Sequence, residues 1–343
     1  MTSKVFYMKT TKQSPDDMKR DSIEKLLSQI NDTDIFRKDE NIAVKVNLAD
    51  VKNKGCTDPI YVEKLVEILK SYDTNTHLID SKPLYQLDEC EKYTYENIDV
   101  CQHILNDSEI KKVDVDGEII KTAKLSKQIH NSDKIITLTQ FKPHHICGIA
   151  GAIKNMAIDT AVKSGKIEQY RQAAPFISKI GCLACKVCIN ECPQKAVELN
   201  SIAQINYTKC IACNLCVRIC PKDTVKINRI KSDFINKAIC EYAKAATENR
   251  KNDIIYINFL DDIKADYEDT KQDDANEKLS DDIAILISND PVAIDQASYD
   301  MLNDAIGEDI VEKLWRIIDA QMQLNYADSI NVGCKDYELV EIK

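Results

Sequence analysis

Eight cysteines in two matched runs limit what this chain can fold into more than any other feature. Cys182, Cys185, Cys188 and Cys192 precede Pro193, while Cys210, Cys213, Cys216 and Cys220 precede Pro221. Each run reads C-x2-C-x2-C-x3-C-P, and the second repeats the first 28 residues later, from 182 to 210. This spacing wraps three thiolates around one iron–sulfur cube and sends the fourth to the neighbouring cube. It predicts two 4Fe–4S clusters, one on Cys182, Cys185, Cys188 and Cys220, the other on Cys210, Cys213, Cys216 and Cys192. The proline after each fourth cysteine turns the chain, because it cannot extend a helix. Structural zinc also takes four ligands per site but gives no reason for the x3-C-P crossover. Disulfides do not suit cysteines three apart in a long chain of intracellular character. Thiolate-held clusters call for a reducing and preferably anaerobic compartment.

A chain of 343 residues is too long for a ferredoxin alone. Before the cysteines, strand patterns at Lys4–Met8, Ile42–Leu48, Thr76–Asp80 and Lys134–Leu138 alternate with helical spacing over Asp16–Asn31 and Pro59–Tyr72, the latter capped by Asp58. After them come a helix over Ser232–Arg250, strands at Asp253–Leu260 and Asp281–Ser288, helices over Val292–Asp304 and Ile310–Asn325, and a last strand near Glu338–Ile342. Strands alternating with helices predict an α/β fold with a largely parallel sheet. A two-cluster ferredoxin-like module at 175–230 is then inserted between a first part, 1–174, and a second, 231–343. Residues 176–230 hold eight basic and three acidic side chains, a local balance of +5 that offsets the negative charge of oxidised clusters. The whole chain carries −10, which argues against nucleic-acid binding. No apolar run reaches the ~18 residues of a membrane helix, and the N-terminus lacks an apolar signal core. These features predict a cytoplasmic protein with no membrane partner. The stretch Asp261–Asp282, with ten acidic residues and three lysines, reads as a solvated loop.

Outside the cysteine runs, Gln140–Asp159 (QFKPHHICGIAGAIKNMAID) concentrates reactive side chains. Lys142, His144, His145 and Cys147 fall within six residues, and Gly148 and Gly151 precede Lys154 and Asn155. A helix starting near Ala150 would aim N–H groups at an anion, and Lys142 and Lys154 suit a phosphate or carboxylate. Lys45 and Asn47 share one strand face, and a buried lysine needs a partner. Asp290 reads equally as a helix cap or a site residue, and Asp295 as a site residue or a partner for a lysine. Lys45, Lys142, His144 and Lys154 are the catalytic candidates. The remaining cysteines, Cys56, Cys90, Cys101, Cys147, Cys240 and Cys334, have no ligand spacing and most read as core, with Cys147 set apart by its loop.

The order VKVN (Val44–Asn47), FKPHHICGIAGAIKN (Phe141–Asn155), two cysteine runs and DPVAIDQAS (Asp290–Ser298) resembles the ferredoxin-fused members of the uncharacterised domain family 362. The resemblance implies an α/β domain with an inserted two-cluster ferredoxin and no established reaction. Many relatives carry a Cys-Asp-Cys run where this chain reads Lys264-Ala265-Asp266-Tyr267-Glu268, so a metal held there in relatives has no counterpart here. A looser similarity runs to nickel-pincer lactate racemases, which place a histidine ahead of a glycine-rich loop bearing a lysine. His144 and Lys154 fit that order.

The sequence thus predicts a redox enzyme whose two clusters relay electrons to an anionic small-molecule substrate on the α/β domain. A low-potential electron donor or acceptor is the implied partner. Two other readings stay open: an electron carrier that docks redox partners without its own catalysis, and a maturation or scaffold protein that uses its clusters structurally.

Overall fold

A computed structural model describes residues 2–10, 14–30, 35–46, 57–81, 84, 95, 97–250, 253–265 and 278–343. The first part runs β1 (Ser3–Lys9), α1 (Asp16–Leu27), β2 (Asn41–Lys45), α2 (Pro59–Ser71), β3 (Asn75–Asp80) and β4 (Cys101–Ile104). Next come β5 (Ile110–Asp114), β6 (Thr122–Ser126), α3 (Lys127–His130), β7 (Lys134–Gln140), β8 (Lys142–His144), β9 (Gly148–Ala150), α4 (Ala152–Ile158) and α5 (Lys163–Tyr170). The cysteine segment adds β10 (Phe176–Ile177), α6 (Val187–Asn190), β11 (Val197–Leu199), β12 (Ala203–Ile205), α7 (Leu215–Arg218) and β13 (Val225–Lys226). The last part holds α8 (Ser232–Thr247), β14 (Ile254–Leu260), β15 (Ala284–Ser288), α9 (Pro291–Ile306), α10 (Ile310–Leu314), α11 (Ala320–Ser329) and β16 (Tyr337–Glu341).

Eight strands form one sheet in the order β16-β1-β15-β14-β7-β2-β3-β4. Only β15 runs antiparallel to its neighbours, β1 and β14; the other pairings are parallel. The protein is therefore an α/β fold with a largely parallel central sheet. Alternate side chains feed opposite faces, as the two-residue strand period requires. Ile42, Val44, Ile136, Leu138, Ile255 and Ile257 pack with α1 and α2, whereas Ala43, Ile135, Ile254 and Tyr256 pack with α4, α8, α9 and α11. Both faces being covered explains why β14 (IIYINFL) and β15 (AILIS) are buried at every residue. Strands from both sides of residues 175–230 share this sheet. The cysteine segment leaves and rejoins it through β10 and β13, which pair antiparallel, Phe176 opposite Lys226.

Asp58 caps α2, accepting from the Ile60 N–H at 3.1 Å. The single helix expected over Ile310–Asn325 is two, because the backbone leaves the helical region at Trp315 and Asp319 caps a fresh start through the Gln321 N–H. The stretch 101–126, unassigned from sequence, forms the edge strand β4 and the β5–β6 hairpin. Cys240 is core and Cys334 half-buried, but Cys101 is exposed on β4, not a core residue. Cys56, Cys90 and Asn47 lie outside the described residues, as do 266–277 of the acidic stretch. At the ends of that stretch, Asp282 accepts from the Asp262 N–H at 2.9 Å and pairs with Lys278 at 3.5 Å. Among the described residues, no helix is long and apolar enough to cross a membrane.

Candidate functional site

Open α/β sheets bind ligands outside the carboxyl ends of parallel strands. Here those ends carry charge. Lys45, last residue of β2, is 3% exposed, and its Nζ lies 2.8 Å from Oδ1 of Asp80, last residue of β3. The same Nζ is 3.9 Å from Asp159, which follows α4. Lys166 of α5, also buried, donates to Ser81 Oγ at 2.5 Å and lies 3.8 Å from Asp159. Burial works against the charge on Lys45, but Asp80 and Asp159 outweigh it and leave its pKa above the ordinary lysine value. At Lys166 burial wins over Asp159 and Asp80, and the pKa falls. Asp159 is held below the usual carboxylate range: burial opposes its charge, while Lys45, Lys166 and Lys154 together overcome that. Asp159 and Lys154 are only half-buried, so the cluster opens to solvent on their side.

Of the four catalytic candidates, Lys45 and Lys154 meet here. His144 is fully buried in the β8–β9 turn, where its Nδ1 accepts from the Ile146 and Cys147 N–H groups at 3.2 and 3.3 Å and lies 3.2 Å from Cys147 Sγ. Its ring stacks on His145 at 4.8 Å, and His145 meets Trp315 edge-on. These contacts give His144 a turn-holding use. Lys142 is half-buried on β8, opposite Ala150. The helix start expected to offer N–H groups to an anion is that of α4, and an internal carboxylate already fills it. Ala152 and Ile153 donate to Asp295 at 2.7 and 2.9 Å, and Asn258 Nδ2 donates at 2.8 Å. Burial pushes the Asp295 carboxyl up to about 6, against those bonds. Asp295 fills the space a Cβ on Gly151 would need. Asp290 is a cap, accepting from the Val292 and Ala293 N–H groups of α9.

Asp80, Ser81, Asp159 and Lys166 were not anticipated. Asp80 carries a readable signal, since it ends a predicted parallel strand beside Lys45, and Asp159 closes the reactive loop. Lys166 has none, because a lysine in a polar eight-residue helix looks like surface.

The cysteine segment has its own regularity. Ala184, Lys186 and Lys195 adopt left-handed backbone with φ of 52°, 66° and 47°. Ala212, Asn214 and Asp223, each 28 positions later, do the same at 55°, 55° and 49°. No glycine relieves these positions, and each costs about 1–2 kcal/mol. Such turns point successive N–H groups into a concavity of the kind that surrounds phosphates and iron–sulfur groups. Sulfurs accept from backbone in the same repeat: Ala196 N–H to Cys192 at 3.2 Å, and Thr224 N–H to Cys220 at 3.4 Å. Burial raises the pKa of Cys188, and Cys185, Cys220 and Cys182 raise it further. Burial pushes Cys216 up to about 12, with Cys213, Cys210, Cys188 and Cys192 adding to it. Such influence requires proximity, so Cys220 lies near the first run and Cys192 near the second. Cys192, Cys210, Cys213 and Cys216 line one hollow together with Val197, Ile205, Ile211 and Leu215. Two arginines tie the segment to the sheet domain. Arg171, just after α5, donates to the Cys210 carbonyl at 3.0 Å, and Arg229 donates to the His145 carbonyl at 3.0 Å.

Fold and site together define an α/β protein with a buried lysine–aspartate cluster at the carboxyl ends of its parallel strands. The family model described as domain of unknown function (DUF362) matches residues 42–300, and the chain belongs to that family. No curated protein sequence matches it. Among solved structures it is similar to the lactate racemase apoprotein from Thermoanaerobacterium thermosaccharolyticum, at 10% identity and a TM-score of 0.42, over 85% of this chain and 55% of that one. A protein from Thermotoga maritima is similar at 10% identity and a TM-score of 0.42, over 88% of this chain and 60% of that one. The chain thus spans under two thirds of the length of either structure.

Proposed function

We propose that this protein is an iron–sulfur oxidoreductase: a ferredoxin-like module at 175–230 holds two 4Fe–4S clusters that serve an anionic substrate bound at Lys45, Lys154 and Lys166. The observation that carries the reading is the left-handed backbone repeated at the 28-residue offset, around two sets of four thiols. One set would be Cys182, Cys185, Cys188 and Cys220, the other Cys210, Cys213, Cys216 and Cys192. The donor set fits cubes better than single ions. Zinc takes four ligands per site but gives no reason for the x3-C-P crossover that both runs carry. When bound, the clusters supply electrons one at a time, at potentials tuned by N–H···S bonds and nearby charge.

The chain's own residues define a direction. Cys185 is exposed, and Ile180 and Leu183 beside it are 88% and 61% exposed, which suits entry of electrons from a low-potential donor at the first set. The second set touches the sheet domain through Arg171, whose helical run carries Lys166 five positions earlier, about 7.5 Å along the axis. Three lysines against two aspartates leave the cluster a net positive charge for a carboxylate or phosphate. Asp80 fixes Lys45 in place, and burial lowers the pKa of Lys166, which eases transfer of a proton from its Nζ.

Protein purified anaerobically should contain about eight irons and eight sulfides per chain. Reduction should give the spectrum of two interacting paramagnets. One tight zinc per four cysteines without visible absorption would end the proposal. Lys154→Ala and Lys166→Met should abolish binding of the anionic substrate with iron content unchanged. Rapid cluster reduction without turnover of any small molecule would favour the carrier reading.

A further inference from the structure

We infer that the edge of the sheet carries a separate site for a single zinc ion, made by His77, Cys101 and His103. In the parallel pairing of β3 with β4, His77 is the partner of Cys101, and Ile79 is the partner of His103. Side chains two apart on a strand share a face, so all three residues project from one side of the edge pair. Their ligand atoms lie within 4.8 Å of one another. The two imidazoles face each other with ring centroids 5.2 Å apart and planes tilted by 47°. In tetrahedral zinc sites the ligand atoms are about 3.3–3.8 Å apart, so rotamer adjustments of roughly an ångström complete the geometry.

A second observation points to a ligand. His77 Nδ1 is buried and has no hydrogen-bond partner. Buried imidazole nitrogens are normally paired with a donor, an acceptor or a metal, and here ligand atoms of the other two members of the group lie within 4.8 Å. A fortuitous histidine pair on an exposed strand explains neither the orphaned nitrogen nor a thiol at the same register. Two imidazoles and one thiolate suit a borderline-soft divalent ion, and zinc needs no redox partner to stay there. Cys101 and His103 are exposed, so the fourth position faces solvent and is left to water. Asp80 lies three residues beyond His77 on β3, about 10 Å along the strand. The zinc is therefore a neighbour of the lysine–aspartate cluster and no part of it.

The site is independent of the iron-binding thiols, and the test keeps the two apart. An untagged, cluster-loaded chain is titrated anaerobically with zinc, and iron and zinc are measured on the same samples. Wild type should bind one zinc per chain beyond its iron. Cys101→Ser and His103→Ala, both at exposed positions, should each weaken zinc binding at least tenfold and leave iron unchanged. Cobalt in place of zinc should show a thiolate-to-metal band that Cys101→Ser abolishes. Absence of the extra zinc in wild type, or unchanged affinity in either variant, overturns the site. Failure of the iron reading would appear as lost iron at unchanged zinc affinity.

Discussion

The sheet domain and the cysteine segment solve the same problem by opposite means. The sheet buries two large apolar clusters, one on each face, and places its charged side chains in pairs where strands end. Within the cysteine segment the one separate cluster of buried apolar residues is small, Cys188, Val197 and Ala203. Six strained left-handed residues are held there as well. Other buried side chains of the segment, Ala212, Val217, Cys220, Val225 and Ile227, pack into the core of the sheet domain. On the cluster reading proposed above, what its thiols bind would add to its stability, as in small metal-holding domains.

Removing the proposed clusters tests the contrast most severely. Anaerobic chelation of iron should release amide-exchange protection across 175–230 and leave β7, β14 and β15 protected; uniform loss in both regions would erase the distinction. Cys220→Ser sharpens this further, costing about half the iron and sparing the set that includes Cys192, as crossed ligation demands.

Next in size is the charged pair inside the sheet domain. Lys45→Met removes the cation 2.8 Å from buried Asp80 and should destabilise by about 3–5 kcal/mol, measured as a shift in urea midpoint with iron content unaltered. The companion Lys45→Met/Asp80→Leu should regain most of that loss. A destabilisation under ~1 kcal/mol in the single variant would mean that water reaches the pair.

Asp295 gives a smaller, pH-dependent effect. Its carboxyl titrates near 3.8 when unfolded and at about 6 when folded, so ionising it costs the native state stability. Its contribution is therefore most favourable below about pH 4, declines as pH rises to about 6, and is flat above. The total change is on the order of 3 kcal/mol. Asp295→Asn should remove that decline while costing about 1–3 kcal/mol, because only one of the two oxygens that accept from Ala152 and Ile153 remains an acceptor. Parallel slopes in the two proteins would show that the carboxyl titrates normally. Smallest of all, Lys209→Ala removes an exposed pair with Glu198 at 3.4 Å and should move stability by no more than about 0.5 kcal/mol.

Much of the sheet domain was legible because its signals are local. The alternation in VFYM, the Asp58 cap and the continuous apolar run IIYINFL each name an element without reference to the rest of the chain. Pairing is not local. Nothing near Ser3–Lys9 says that this strand lies between β15 and β16, whose partners are more than 270 residues away. The break at Trp315–Asp319 was hidden by apolar residues that continue the helical period, although Asp319 is a recognisable cap. For the candidate site, Lys45 announced itself as a lysine in an apolar strand. Its partners came from three other elements, so only the fold could assemble them. The repeated left-handed turns needed coordinates too, since alanine, lysine and asparagine carry no turn signal as strong as glycine.

The pairing of β10 with β13 makes the cysteine segment a large loop closed at its neck. For the sheet domain, the roughly 50 residues between those strands replace what a four-residue turn could do, at an added closure entropy of about 2 kcal/mol. Excising 178–224 and bridging Ile177 to Val225 with such a turn should therefore return that entropy to the sheet domain, set against the loss of Ala212, Val217 and Cys220 from its core. On the cluster reading proposed above, the excised loop, closed by a comparable antiparallel neck elsewhere, would be a transplantable electron-transfer cartridge.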